Sequence, residues 1–227
     1  MRSVAKKKGI IWGIITSFFL LLFPSSSHTQ AERQTFVPLR KVAVLPFLII
    51  RPQTGGERMV RGLWGEFFFR AGYVPSMAGS ELTTIFYRKL IQLERCEIIP
   101  IWKIEVVIER TKHIDFRRDP LGVAVYMGGE LDAYAVVIGG VYRFEQRLGS
   151  ALGVEKPASV AFDTHLVRVK DKKVIWSGRF DETQHSLSEN LLKASTFIKG
   201  GGHWVTVEKL TAIGVASILR TFPSLVL

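Results

Sequence analysis

The run AYAVVI, Ala133 to Ile138, is apolar on both of its alternating sides. Successive side chains of a strand point to opposite faces, so such a run has to be covered above and below. It therefore predicts a central strand of a sheet with elements packed on both faces. After Gly139–Gly140, Tyr142 and Phe144 alternate with Arg143 and Glu145. That alternation predicts that the strand breaks at the glycines and then turns one face to water.

Other segments fit around this strand. KVAVLPF (Lys41 to Phe47) reads as a strand stopped by Pro46, and EIIPI (Glu97 to Ile101) as a short one. Ser159–Val169 and Lys173–Phe180 read as strands joined across a polar turn at Asp171. On the first, Val160, Phe162 and Leu166 share a face; on the second, Val174, Trp176 and Phe180 do. With the Ala133 strand they predict an antiparallel meander.

Helical spacing appears in Ser80–Leu93, where Leu82, Ile85, Phe86, Leu90 and Leu93 make one stripe. Arg88 and Lys89 suit the C-terminal half of its dipole. The first part of the charged stretch from Lys103 and the span Pro120–Leu131 are further helices. A closing helix is expected over Thr206–Thr221, with Leu210, Ile213, Ser217, Ala212, Ala216 and Leu219 facing inward, ended by Pro223. The fold class is α/β: one domain with a mixed sheet, a three-strand antiparallel meander in its second half, and flanking helices.

The first 31 residues do not read as fold. Arg2, Lys6, Lys7 and Lys8 precede the uncharged run Gly9–Phe23, then Pro24, three serines and the small residues Thr29 and Ala31. This order is that of a secretory leader, and the apolar run is short of the ~20 residues that span a bilayer. An uncleaved anchor is the alternative. The expected division is a leader at 1–31, a linker at 32–40, the α/β domain at 41–223 and a tail at 224–227.

Export changes what charge means. The chain carries +11, and beyond Ala31 there are 27 basic and 20 acidic residues. In a cytosolic protein this would raise nucleic acid as a partner. Outside the cytoplasm the polyanions are lipid headgroups and cell-wall polymers, and no basic stripe interleaves with aromatics, so nucleic acid is set aside. Trp64, Phe67, Phe68 and Phe69 either pack on the domain or form a patch that meets a membrane or a partner, packing being the expectation. Cys96 is the single cysteine and reads as a small buried hydrophobe.

Neither metal nor cofactor chemistry is expected. No histidine pair has helical spacing, and Asp163 with His165 on one strand face reads as a surface hydrogen-bonded pair. KGGGHW, Lys199–Trp204, lacks the Lys-Ser/Thr of a phosphate loop and reads as a loop, with His203 and Trp204 as candidate contacts. Asp181, His185 and Ser188 are the residue types of a hydrolytic triad, but no nucleophile elbow surrounds the serine. Ser186 and Glu189 instead match a capping box that starts a helix.

KVAVLPF, ELTTIFYRKL, LDAYAVVIGGVYRF and KKVIWSGRFDETQHSLSENLL together resemble bacterial envelope proteins of the curli-secretion lipoprotein and penicillin-binding-protein-activator type. Their core is similar to the N-terminal domain of the Tol-Pal system's periplasmic protein. The resemblance spans Lys41 to Pro223 and implies an α/β domain that binds envelope proteins without catalysis. Two features depart from it. Ala31 and Glu32 stand where such lipoproteins carry a cysteine, and the amphipathic hairpins of the curli pore are not evident. The reading is a non-enzymatic periplasmic domain, oligomeric or not, whose partners are envelope proteins, with anionic polymers or the membrane surface as further contacts. A small secreted hydrolase using Ser188, His185 and Asp181 is the alternative.

Overall fold

Pro46 interrupts the first strand without ending its pairing. The computed structural model describes residues 39–52, 59–111, 118–150, 153–184 and 203–225. In it β1 (Lys41–Val44) lies parallel to β6 (Ala135–Glu145), and β2 (Leu48–Ile49) resumes alongside the same strand two residues past the proline. The other edge of β1 pairs in parallel with β5 (Glu97–Ile98). On the far side of β6 come β9 (Ser159–Arg168) and then β10 (Lys173–Thr183), both antiparallel to their neighbours. The sheet is thus mixed, in the order β10-β9-β6-β1-β5, and its second half is the expected meander. Short hairpins β3 (Met59–Arg61) with β4 (Phe68–Arg70), and β7 (Leu148–Gly149) with β8 (Val154–Lys156), stand outside it.

The sheet is covered on both faces, as AYAVVI requires. On one, Val42, Val44, Ala135, Val137, Phe162 and Leu166 meet α1 (Ala78–Ile91) and α4 (Val207–Leu219). The α1 stripe buries Leu82, Phe86 and Leu90 completely, each contributing about 1.5–3 kcal/mol. On the other face, Ala43, Leu45, Val136, Ile138 and Val167 meet α2 (Ile101–Arg110) and α3 (Pro120–Glu130). Asp119 caps α3, its carboxylate accepting from the Gly122 amide at 2.9 Å, with Pro120 opening the helix.

Helices α2 and α3 cover only half of that second face. The β3–β4 hairpin covers the rest, Val60 and Phe69 packing on Tyr142 and Ala161. All described residues lie in one compact unit, Val37–Leu227. Among them, no helix is long and apolar enough to cross a membrane.

Three expectations fail here, each for a local reason. Strand β6 does not break at Gly139–Gly140 or turn to water: a bulge between Val141 and Arg143 puts Tyr142 and Arg143 on the same buried face. A second bulge, between Val174 and Trp176, sends Val174 to the α2–α3 side and Trp176 to the α1–α4 side. In α4 the buried residues are Val207, Leu210, Thr211, Gly214, Val215, Ile218 and Leu219. Ala216 points to solvent, and Ile213, Ala212 and Ser217 are only half-buried. Gly214 faces inward because Phe180 lies against it; a Cβ there would come within 2.6 Å of that ring.

Candidate functional site

The half of the sheet under the β3–β4 hairpin carries a row of polar side chains. Strand β9 contributes Asp163 and His165, both fully buried, and β10 places Arg179 and Ser177 directly opposite them. The β6 bulge adds Tyr142 and Arg143. Asp163 Oδ1 accepts from the Gly140 amide at 3.0 Å, and Oδ2 accepts from Tyr142 Oη at 2.8 Å. The Leu63 amide, in the hairpin turn, donates to Tyr142 Oη at 3.0 Å and to Asp163 Oδ2 at 3.3 Å. Burial, reinforced by the neighbouring Asp163 carboxylate, pushes the Tyr142 hydroxyl far above its ordinary pKa, so it stays a proton donor.

Aromatic rings close the row from above. Trp64 lies 4.4 Å from the His165 ring, and Phe67 stacks more distantly at 6.3 Å. Phe69 lies parallel to Tyr142 with centroids 4.0 Å apart. Toward the end of the hairpin, buried Arg143 donates to Ser159 Oγ, to the Arg70 carbonyl and to Asp181 Oδ1, the last at 2.6 Å. Arg179 approaches the other Asp181 oxygen at 3.3 Å.

Ser177, His165 and Asp163 are therefore in line: Ser177 Oγ lies 2.9 Å from His165 Nδ1, and Nε2 lies 3.3 Å from Asp163 Oδ2. A triad needs the acid to hold the imidazole and the imidazole to be reachable. Neither condition holds. The Nε2 contact is not aligned for a hydrogen bond, and both Asp163 oxygens are occupied by Gly140, Tyr142 and Leu63. His165 is sealed beneath Trp64. The row fastens the hairpin to the sheet.

The expected surface pair Asp163–His165 is thus a buried one, because the hairpin covers the strand face that composition left open. Asp181 is a clamp for Arg143 and Arg179, so it has no free oxygen to orient an imidazole. His185, Ser186, Ser188 and Glu189 lie outside the described residues, as does the expected cap. Of the aromatic candidates, Phe69 is fully buried and drops out as a contact residue, Trp64 and Phe67 are half-buried, and Phe68 is 53% exposed. His203 is exposed, while Trp204 is half-buried. Gln184 ties their loop down, donating to the His203 carbonyl at 2.9 Å and accepting from the Val205 amide at 2.8 Å. Tyr142 and Arg143 were missed by sequence reasoning; the available signal was two hydrogen-bonding side chains inside an otherwise unbroken apolar strand.

Cys96 is buried, and desolvation pushes its thiol up to about 12. Among the described residues no cluster of histidine, cysteine and carboxylates could hold a metal ion. A cavity of about 330 Å³ between the starts of α1 and α4 is lined by Ser80, Glu81, Thr84, Ile85 and Glu208. Burial, with Glu208 nearby, raises the Glu81 pKa.

No protein-family model matches the chain, and no curated protein matches it. Solved structures do. The PelC dodecamer of Paraburkholderia phytofirmans is 14% identical, covering 79% of this chain and 86% of its own, with a TM-score of 0.43. Lipoprotein GNA1162 of Neisseria meningitidis is 13% identical over 72% of this chain and 99% of its own, with a TM-score of 0.44. The LpoB C-terminal domain of Salmonella enterica is 14% identical over 66% and 87%, with a TM-score of 0.39.

Proposed function

We propose that this chain is an exported, non-enzymatic domain that docks to an outer-membrane or cell-wall assembly of a bacterial envelope by binding protein. One observation carries the reading. Among the described residues, the buried polar row of Tyr142, Arg143 and Asp163 fastens the β3–β4 hairpin, whose other face is left on display. A buried polar network that holds two segments together specifies shape, and a displayed face recognises. The leader pattern of residues 1–31 and the resemblance of the domain's ordered segments to envelope proteins supply the compartment. In this reading residues 1–31 are the export leader, cleaved or kept as an anchor, and residues 41–223 are the docking domain.

The test is in-cell photocrosslinking from positions 68 and 203, with fractionation of the envelope. Crosslinks to envelope proteins are the expected result. A periplasmic chain that crosslinks to none of them overturns the reading.

A further inference from the structure

The outward side of the β3–β4 hairpin has an unusual composition for an exposed surface. Met59 is paired across the ladder with Arg70, and Arg61 with Phe68. Met59 and Phe68 are each more than half exposed, and both arginines are exposed. Each pair sets one cation against one large apolar side chain, and the two pairs have opposite order, so charge and apolar surface alternate diagonally. The arrangement is braced. Arg61 lies over the Phe68 ring, 5.8 Å from its centroid, and its guanidinium rests against Gly65. Gly65 has φ +73° and no room for a Cβ at that contact, so glycine there is what lets Arg61 lie flat. Among the described residues neither Arg61 nor Arg70 is ion-paired, and both side chains are exposed.

We propose that this face binds the surface of a bilayer containing anionic phospholipid. Arginine forks fit phosphate oxygens and remain charged at any relevant pH. Phe68 and Met59, level with them, would enter the boundary between headgroups and acyl chains while the arginine stems lie along it. The 27 basic against 20 acidic residues beyond Ala31 give the chain a matching long-range attraction to such a surface. Two acidic residues flank this face in sequence: Glu66, exposed in the hairpin turn, and Glu57, which lies outside the described residues. The inference gives the outward side chains of the hairpin to lipid, so that the envelope protein proposed above docks beside them at the membrane surface, within reach of positions 68 and 203, whichever protein it is.

Where the leader is kept, the apolar run Gly9–Phe23 would carry the full chain to any vesicle, so binding alone is uninformative and the probe has to sit on the hairpin. A polarity-sensitive fluorophore is attached to a cysteine replacing Phe68 in a Cys96→Ala background, with Lys170, exposed after β9, labelled as the control position. Vesicles of phosphatidylglycerol with phosphatidylethanolamine are compared with neutral phosphatidylcholine. The expected result is a blue shift at position 68 on anionic vesicles only, none at position 170, and loss of more than half the shift in Arg61→Gln/Arg70→Gln. Circular dichroism checks that each variant is folded. No shift on anionic vesicles, an equal shift on neutral ones, or a shift unaffected by removing both arginines overturns the proposal. The vesicle experiment can fail while crosslinking to an envelope protein succeeds, and the reverse, so the two readings fall separately.

Discussion

Tyr142 Oη donates to Asp163 Oδ2 at 2.8 Å between neighbouring strands, and the Leu63 amide of the overlying hairpin reaches both oxygens. Hairpin and sheet are thereby one hydrogen-bonded unit. Replacing Tyr142 by Phe removes a donor to a buried carboxylate and the acceptor for Leu63. The expected loss is about 1.5–3 kcal/mol of unfolding free energy in urea, with new protease cleavage inside residues 59–70.

Arg143 and Asp181 form a second fastening, 2.6 Å apart, with the arginine side chain 7% exposed. Arg143→Met leaves Asp181 with the more distant Arg179 and strips the Arg70 carbonyl of its donor. A loss of about 3 kcal/mol is expected. The double variant Arg143→Met/Asp181→Leu is expected to recover part of it, because no carboxylate is then left short of its main partner while the Arg70 carbonyl still lacks a donor. Equilibrium denaturation of the three chains decides the matter.

Asp171, in the β9–β10 turn, is held down to about 2 by Arg168, against 3.8 unperturbed. A depressed carboxylate stabilises the fold fully above its unfolded pKa and loses that contribution as pH falls through the folded one. The native chain should therefore lose stability between pH 4 and pH 2 more steeply than Asp171→Asn. Melting temperatures across that window would reveal it.

Glu81 has the opposite sign. Its pKa is raised, so the fold favours the protonated form and pays for ionisation as pH rises past 4.5. Glu81→Gln is expected to melt higher than the native chain at pH 7 and at the same temperature at pH 3. Thermal melts at the two pH values measure the difference.

Cys96, with its thiol near 12, presents almost no thiolate at pH 8. Labelling by a disulfide reagent is expected to be at least about a hundredfold slower in the folded chain than in denaturant. Equal rates would mean that the site opens freely.

The strands and helices of the main sheet were readable because their periodicity reports burial directly: the stripe of α1 and the two-faced run Ala133–Ile138 needed no tertiary information. Tyr142 and Arg143 were assigned to opposite faces because a bulge changes the period by one residue and leaves no trace in composition. The hairpin that covers them has strands of three residues each, too short for any period to emerge. Hence Asp163 and His165 were placed in solvent. In α4, inward Thr211 and Gly214 look like outer-face residues until Phe180 is seen against the glycine. The fold was legible from pattern; the site depended on which short segment lies over which long one.

Strand β1 has a consequence for assembly. Its partners are β5 on one side and β6 on the other, and both come later in the chain, β6 ending at Glu145. The two edges of β1 cannot both be satisfied until more than half the polypeptide is available. Contacts this distant in sequence are slow to form because the loop must close before any bond repays it. A chain passed through a membrane channel N-terminus first would keep its earliest strand waiting. The topology itself thus delays closure of the sheet until β6 is available.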